Sequence, residues 1–332
     1  MSAVHAGIDV SAKSVELVLR QNDRRFGRET FAQTPEGHRQ LERRLRTARP
    51  QHVVLEATGV YYVDLAVTLA HAGLPVSVIN PRSFHHFAKL KLQGSKTDGI
   101  DAELLAEYGE RMAPLPWTPP DPSRLALRDL GRQINRLTAT RTQAKNRLHA
   151  LRARRGSLEL LIRDEVEAIA TLDRRIERLT QAARDLLHQQ PELAEQAQHL
   201  EAAKGVAQAS AIAVLAQLCV LPASLKTSQV ARHAGLDVCL RQSGTSVNGV
   251  SRISKAGNAY LRAALYMPAL SAVRHDPYVR AFYEALQRRG KRKIQALCAV
   301  MRKLLTGFWA CLKTSQPFDS AKLFSDVHFA KT

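Results

Sequence analysis

The chain has 332 residues, with 49 Lys and Arg against 30 Asp and Glu and a formal net charge of +19. Such a length supports two or three domains with real cores, and a positive charge spread along the chain points to a polyanionic partner such as nucleic acid, the bland alternative being a merely basic soluble protein. Four scattered cysteines have neither zinc-ligand spacing nor a disulfide framework, no apolar run approaches the roughly 20 residues of a membrane span, and "MSAVHAGIDVSAK" lacks a secretory pattern, so a cytoplasmic location is expected.

Up to about Pro120 the pattern alternates between strand and helix. "VHAGIDVS" and "VELVLR" are short β-branched and apolar runs separated by a polar "AK" turn, and "RETFAQT" supplies a third strand. "PEGHRQLERRLRTA" comes next as a helix with Pro35 in its first turn. "HVVLEATG" then reads as a buried strand, "YYVDLAVTLAHAG" as a helix closed by Gly73, and "LPVSVINP" as another strand. With the helix of "DGIDAELLAEY", the order β-β-β-α-β-α-β-α predicts a mixed sheet covered by helices.

"PLPWTPPDPS", from Pro114 to Ser123, cannot continue a helix and marks a boundary. Beyond it Leu127, Leu130, Ile134, Leu137, Leu148 and Leu151, then Leu158, Ile162, Ile169, Leu172, Ile176, Leu179 and Leu186, recur in steps of three and four. This heptad seam, broken at "ARRGS", predicts a helical hairpin or coiled coil suited to self-association; a solvated pair of scaffold helices fits the pattern as well. From about Leu200 the chain is mainly helical, apart from the polar stretch "RQSGTSVNGVSRISKAGN", which reads as a loop of about 18 residues. The organisation is therefore α/β plus all-α: residues 1–120, a coiled-coil region 121–195, and a mainly helical region 196–332.

Four acidic residues stand out. Asp9 reads as lying in the middle of the first strand and Glu56 at the end of the apolar "HVVLE", where a carboxylate is costly unless it is paired or bound to a cation. Asp98 and Asp101, three apart, share a helix face with Leu105 and Tyr108. Each has a plain reading: Asp98 as a helix N-cap with Asp101 as its N3 partner, Glu56 as a strand-end charge, Asp9 as a turn residue. Four carboxylates brought together would repel one another unless a divalent cation neutralised them, and hard oxygen ligands suit Mg²⁺ or Mn²⁺.

Together, "GIDVSAK", "LEATGVY" and "SKTDGIDAELLAEY" resemble the N-terminal DEDD domain of insertion-sequence transposases of the IS-one-ten type, a family related to the Piv DNA invertase. The resemblance implies a RuvC-like form of the ribonuclease H fold, with Asp9, Glu56, Asp98 and Asp101 as a Mg²⁺-binding tetrad; Lys96 and Thr97 also match. "AGLDVCLRQSGTSVNGVSRISKAGNAYLRAALYMPA", residues 234–269, is similar to the family's C-terminal transposase domain, and this similarity makes Ser243 the nucleophile. On local chemistry alone Ser243 is one hydroxyl among Thr245, Ser246, Ser251 and Ser254, and a serine beside glycine is commonly a turn residue. Lys255 and Arg262 are candidates to steady phosphate oxygens. "AAKGVAQASAIAVLAQL" looks like a degenerate helix-hairpin-helix element, with Gly205-Val206-Ala207 where relatives carry a Gly-Ile-Gly-type turn, or an ordinary packed helix pair. "QRRGKRK" places Arg288, Arg289, Lys291, Arg292 and Lys293 in one short segment, as a phosphate contact or a solvated helix end.

The function implied is DNA cutting and rejoining through a phosphoserine intermediate, on donor and target double-stranded DNA. A noncoding bridge RNA would supply sequence choice, and the protein would act as a dimer or a tetramer of two dimers. The alternative from the same fold is a RuvC-like structure-selective nuclease using water as nucleophile. A third reading is a silent nucleic-acid-binding scaffold whose carboxylates only cap and turn.

Overall fold

The computed structural model describes residues 3–57, 59, 61–91, 98–243 and 247–324, without the side chains of Asp98 and of residues 240–243 and 247–251. The chain forms two compact units, Met1–Pro119 and Pro120–Thr332.

In the first unit, β1 (Val4–Val10), β2 (Ser14–Gln21) and β3 (Arg24–Ala32) form an antiparallel meander. Asn22 and Asp23, both at positive φ, make the tight turn between β2 and β3. Helix α1 (Pro35–Ala48) starts where the Thr34 side chain accepts from the Gly37 N–H, with Pro35 in the first turn. Then come β4 (His52–Glu56), α2 (Tyr62–His71) and β5 (Val76–Ile79). The sheet order is β3-β2-β1-β4-β5, with β1, β4 and β5 parallel. This is the ribonuclease H arrangement in its RuvC-like form, in agreement with the family resemblance.

Helix α3 (Pro81–Leu90) has no counterpart in the elements expected from sequence, although its signals are standard: the Asn80 side chain accepts from the Arg82 N–H at 2.8 Å and Pro81 occupies the first turn. Helix α4 (Asp98–Met112) completes the unit. Strand alternation divides the core. Ile8, Leu17 and Leu55 pack with Leu41 and Leu45 of α1 and Leu65 and Leu69 of α2 on one face. On the other face Val54 packs with Leu104 and Leu105, and Val18 with Ala102 and Ala106. Each such buried Val, Leu or Ile side chain contributes roughly 1.5–3 kcal/mol of transfer free energy. The proline-rich segment leaves along the sheet edge: the Trp117 N–H donates to the Val76 carbonyl at 2.7 Å, and Ser77 Oγ donates to the Pro114 and Leu115 carbonyls.

In the second unit, α5 (Pro122–Ala153) and α6 (Glu159–Gln189) form a long hairpin turned at Gly156, whose φ is 76°. Leu137, Ala144, Leu148 and Leu172 are buried along its seam, flanked by Arg141–Asp173 and Arg147–Glu165 ion pairs. The root of the hairpin is continuous with the C-terminal helices, because Leu127, Ala183 and Leu187 join their core. Leu158, assigned to the seam by its spacing, is instead 61% exposed just before α6, near exposed Leu160 and Leu161. Helices α7 (Pro191–Glu201), α8 (Gln208–Leu218), α9 (Thr227–His233), α10 (Ala259–His275), α11 (Pro277–Arg288), α12 (Lys293–Thr314) and α13 (Ser320–Phe324) build the remainder. The buried α12 residues Val300, Leu304, Leu305 and Phe308 lie in this core. The polar stretch expected to be a loop is a two-stranded ribbon, β6 (Val238–Ser243) and β7 (Val247–Ile253). Its alternation is carried by few apolar residues, which hides it in the sequence. Among the described residues no helix is long and apolar enough to cross a membrane.

At the far end of α4, Gly109 allows the helix to lie against His52 and Val54, an ideal Cβ there falling 3.0 Å from Val54 Cγ2. Beneath it the His5 and His52 rings stack, with their Nδ1 atoms 3.1 Å apart. Burial holds both rings below the ordinary histidine pKa; for His5 the neighbouring His52 and Arg20 push the same way and Glu110 opposes them. Below about pH 6.5 the unfolded chain therefore takes up protons that the folded pair resists, and stability falls as pH drops through that value. Thermal melts between pH 7.5 and 5.5 should show this fall. Because His38 is depressed by burial as well, His5→Gln should flatten the slope in part.

Candidate active site

Strands β1 and β4 run parallel and in register from His5 opposite His52 to Ile8 opposite Leu55. Asp9 and Glu56 therefore hold the next register positions, at the carboxyl ends of neighbouring strands. Asp9, expected in mid-strand, is the next-to-last residue of β1 and half-buried, so its charge sits at the strand mouth rather than in the core. Such mouths are where open α/β sheets place their ligand sites.

Alternation puts His5, Gly7 and Asp9 on one face of β1, and His52, Val54 and Glu56 on the same face of β4. Helix α4 covers that face. An ideal Cβ on Gly7 would fall 2.0 Å from the Ala102 carbonyl oxygen and 2.2 Å from the Ala106 nitrogen, so helix and strand touch backbone to backbone. Gly7 lies under Ala102 and Ala106, and Gly109 lies over His52, so α4 runs antiparallel to β1. Its first turn, with Asp98 and Asp101, is thereby brought to the end of the sheet that carries Asp9 and Glu56. Asp98 is the first residue of α4, and Lys96 and Thr97 lie outside the described residues. Asp101 is half-buried, and the Asp98 side chain is outside the described set. Among the described residues no group of three or more His, Cys, Asp and Glu side chains could hold a metal ion. The donor set nevertheless has the chemistry for one: hard carboxylate oxygens, with Asp9, Glu56 and Asp101 half-buried.

One carboxylate of this row is absent from the candidates chosen by sequence. Glu16 on β2 pairs in register with Asp9 and is only 8% exposed. It is ion-paired to Arg28 Nε and accepts from Thr30 Oγ1 at 2.7 Å, both on β3. The available signal is a lone acid in "SVELVLR", out of phase with the apolar Val15, Leu17 and Leu19.

In the second unit Ser243 is the last residue of β6, opposite Val247; its side chain lies outside the described set, as do Thr245 and Ser246 entirely. The base of the ribbon is tightly specified. Arg262 Nη1 donates to the carbonyls of Ala234 at 2.9 Å and Gly257 at 3.1 Å, so this cation clamps two loop segments. Ser254 Oγ donates to Asp237. Asn258 caps α10 through the Leu261 N–H, and its Nδ2 donates to buried Gln217 at 3.1 Å. Lys255 is exposed, with φ 51° and its N–H bonded to the Gly235 carbonyl. Arg132 and Arg136 of α5 lie over the Tyr260 ring, 5.4 and 5.7 Å from its centroid.

The Gly205 turn packs inward: at φ 90°, its ideal Cβ would lie 2.8 Å from Ala272 N and Ser271 Oγ of α10. Arg288, Arg289, Lys291, Arg292 and Lys293 are all exposed where α11 passes into α12. Lys293 also borders a groove of about 470 Å³ lined by Arg274, Arg280 and Tyr283.

The fold and its strand-mouth carboxylates define an α/β protein of the ribonuclease H class, with an acidic face joined in one chain to a basic helical unit. A family model described as "Transposase" matches residues 6–154, and one described as "Transposase IS116/IS110/IS902 family" matches residues 197–284. The pilin gene-inverting protein of Moraxella bovis is 28% identical over 325 residues, covering 96% of this chain and 98% of that protein. Its counterpart from Moraxella lacunata is 32% identical over 274 residues, covering 81% and 82%. Among solved structures, Thermus thermophilus RuvC aligns with a TM-score of 0.28 and 18% identity, covering 33% of this chain and 97% of that one. The chain belongs to the IS116/IS110/IS902 family of transposases, related to the pilin gene-inverting proteins.

Because α4 meets β1 through backbone atoms, Gly7→Ala should lift the helix and cost about 1–3 kcal/mol of stability, read by urea unfolding. A displacement of the first turn by about 1 Å should cost strand cleavage on the order of a hundredfold, more than the stability loss explains.

Proposed function

We propose that the protein cuts and rejoins DNA with Ser243 as nucleophile and with Asp9, Glu56, Asp98 and Asp101 as the acidic half of the site. The observation that carries this reading is the register of Asp9 beside Glu56 at two strand mouths, under the first turn of α4. Ser243 Oγ attacks the scissile phosphorus, forming a phosphoserine ester as the bond to the departing strand's hydroxyl oxygen breaks; that oxygen takes up a proton as the serine loses its own. Attack by a strand hydroxyl on the ester reverses the step and rejoins the backbone without net hydrolysis. A divalent cation, Mg²⁺ or Mn²⁺, bound by the four carboxylates would supply Lewis-acid stabilisation of the phosphate oxygens. The basic turn from Arg288 to Lys293 and exposed Lys255 supply sequence-independent affinity for nucleic-acid backbone. A bridge RNA, by pairing with donor and target DNA, supplies the choice of site. The apolar hairpin tip, Leu158, Leu160 and Leu161, supports assembly of protomers into dimers and tetramers.

The test is a nicked suicide duplex drawn from the DNA flanking the protein's own gene, incubated with Mg²⁺ and the RNA that copurifies. The wild-type protein should form a covalent protein–DNA adduct that chelation with EDTA prevents. Ser243→Ala should abolish the adduct, and Asp9→Asn and Asp101→Asn should each slow it by roughly 10²-fold or more with helix content preserved. Mg²⁺-dependent cutting that survives Ser243→Ala would instead establish a nuclease that uses water.

A further inference from the structure

We infer that Arg28 is a further catalytic residue of the acidic site, donating to a non-bridging oxygen of the scissile phosphodiester, and that buried Glu16 is the positioning residue that aims it. This rests on the strand-cleaving role proposed for the acidic face.

Three observations converge. Glu16 continues the carboxylate row of Asp9 on the α4-covered face, but it is buried and committed to Arg28 Nε and Thr30 Oγ1. It is therefore tied up within the sheet. The Arg28 guanidinium, anchored through Nε, lies directly over Gly99: an ideal Cβ there would fall 2.3 Å from Cζ and Nη2 and 2.6 Å from Nη1. Gly99 stands between Asp98 and Asp101 in the first turn of α4, so the guanidinium fork sits beside the turn that carries half of the acidic set. The Arg28 side chain nevertheless remains 52% exposed, which leaves the group accessible to a ligand from solvent.

A purely structural ion pair between β2 and β3 would not need the guanidinium fork to lie against the first turn of α4. A phosphodiester entering an acidic site has the opposite requirement. Its equatorial oxygens gain charge in the transition state, and a planar guanidinium held rigid by a second carboxylate offers paired N–H donors at no reorganisation cost. The proposed contact transfers no proton, because arginine stays charged throughout.

The experiment replaces the cleaved phosphodiester, located with the wild-type protein, by an uncharged methylphosphonate in the same duplex. With the natural phosphate, Arg28→Ala should slow cleavage by about 10²-fold. With the methylphosphonate, where the charged oxygen is gone, that defect should shrink to a few-fold. Glu16→Gln should show a smaller defect with the same substrate dependence, and Arg28→Lys should fall between wild type and Arg28→Ala. Arg25→Ala, which removes a neighbouring cation on β3, should slow both substrates equally. Equilibrium binding in EDTA provides a readout apart from turnover: the affinity ratio of natural to methylphosphonate duplex should be larger for wild type than for Arg28→Ala.

Equal defects of Arg28→Ala on both substrates, with an unchanged affinity ratio, would make Arg28 a structural clamp and overturn the inference while leaving the serine chemistry intact. If Arg28→Ala does not fold, Arg28→Lys decides by the same comparison. Absence of cleavage by the wild-type protein would instead remove the proposed function, and this inference with it.

Discussion

The first unit depends on one contact, the seating of α4 on β1 through Gly7. Helix and strand backbones approach so closely there that any side chain would collide with the Ala102 carbonyl and the Ala106 nitrogen. This seat sets both the height and the direction of the helix. Running antiparallel to β1, α4 brings its amino end to the strand mouths and its carboxyl half over the histidine pair. Carboxylates in the first turn of a helix sit in the favourable end of its dipole. The seat that delivers the first turn of α4 to the sheet end therefore also places Asp98 and Asp101 at the favourable end of that dipole.

The carboxyl end of this helix and the strand beside its amino end both hold buried acids. At the carboxyl end, Glu107 is buried, which would raise its pKa, yet hydrogen bonds from Lys91 and Arg111 hold it below the ordinary carboxylate value. Glu110 is held down in the same way by the Asp23 N–H and Arg20 against its burial. These acids have their countercharges within the fold. At the amino end, Glu16 has a comparable set of partners in Arg28 and Thr30. A chain carrying +19 formal charge that still gathers acids at one sheet end has a local field opposed to its global one. The global field draws a polyanion in.

Most of the first unit is legible in the sequence because its strands are short β-branched and apolar runs and α1 starts at Thr34 and Pro35. The topology comes from that order, and Glu56 and Asp101 can be placed at or near element ends before any contact is known, whereas Asp9 reads as mid-strand and proves to be next to last in β1. Register is a different matter. That Asp9 stands beside Glu56 on one side and Glu16 on the other depends on which residues pair across strands, and the role of Gly7 depends on a helix about 95 residues further along the chain. Helix α3 is easily overlooked although Asn80 and Pro81 announce it, because its apolar face is thin. The ribbon of β6 and β7 reads as a loop because a two-stranded element needs little apolar alternation. The seam of the hairpin is visible by period, but its merging into the C-terminal core through Leu127, Ala183 and Leu187 is not, since heptad spacing says nothing about which end of a hairpin is rooted.

In the second unit a residue read as a phosphate ligand also belongs to the scaffold around the ribbon. Arg262 is a candidate phosphate contact by its place in the motif, yet its Nη1 bridges the Ala234 and Gly257 carbonyls. Gly257 is pressed so close to the His233 carbonyl that its ideal Cβ would lie 2.2 Å away, and the Asn258 N–H donates to that same oxygen. With Asn258 also capping α10 and reaching buried Gln217, the segment after the ribbon is joined to α8, α9 and α10 at once. Such density of directional bonds at the ribbon's base fixes where β6 and β7 emerge, because a shift would break several bonds and leave buried polar groups unsatisfied. On the proposed chemistry, that rigidity is the useful property: a serine hydroxyl at the far end of β6 is a weak nucleophile whose rate depends on how narrowly its approach to phosphorus is restricted. The polar residues of the segment then divide by distance from the ribbon tip, those at the base setting direction and Ser243 supplying the bond.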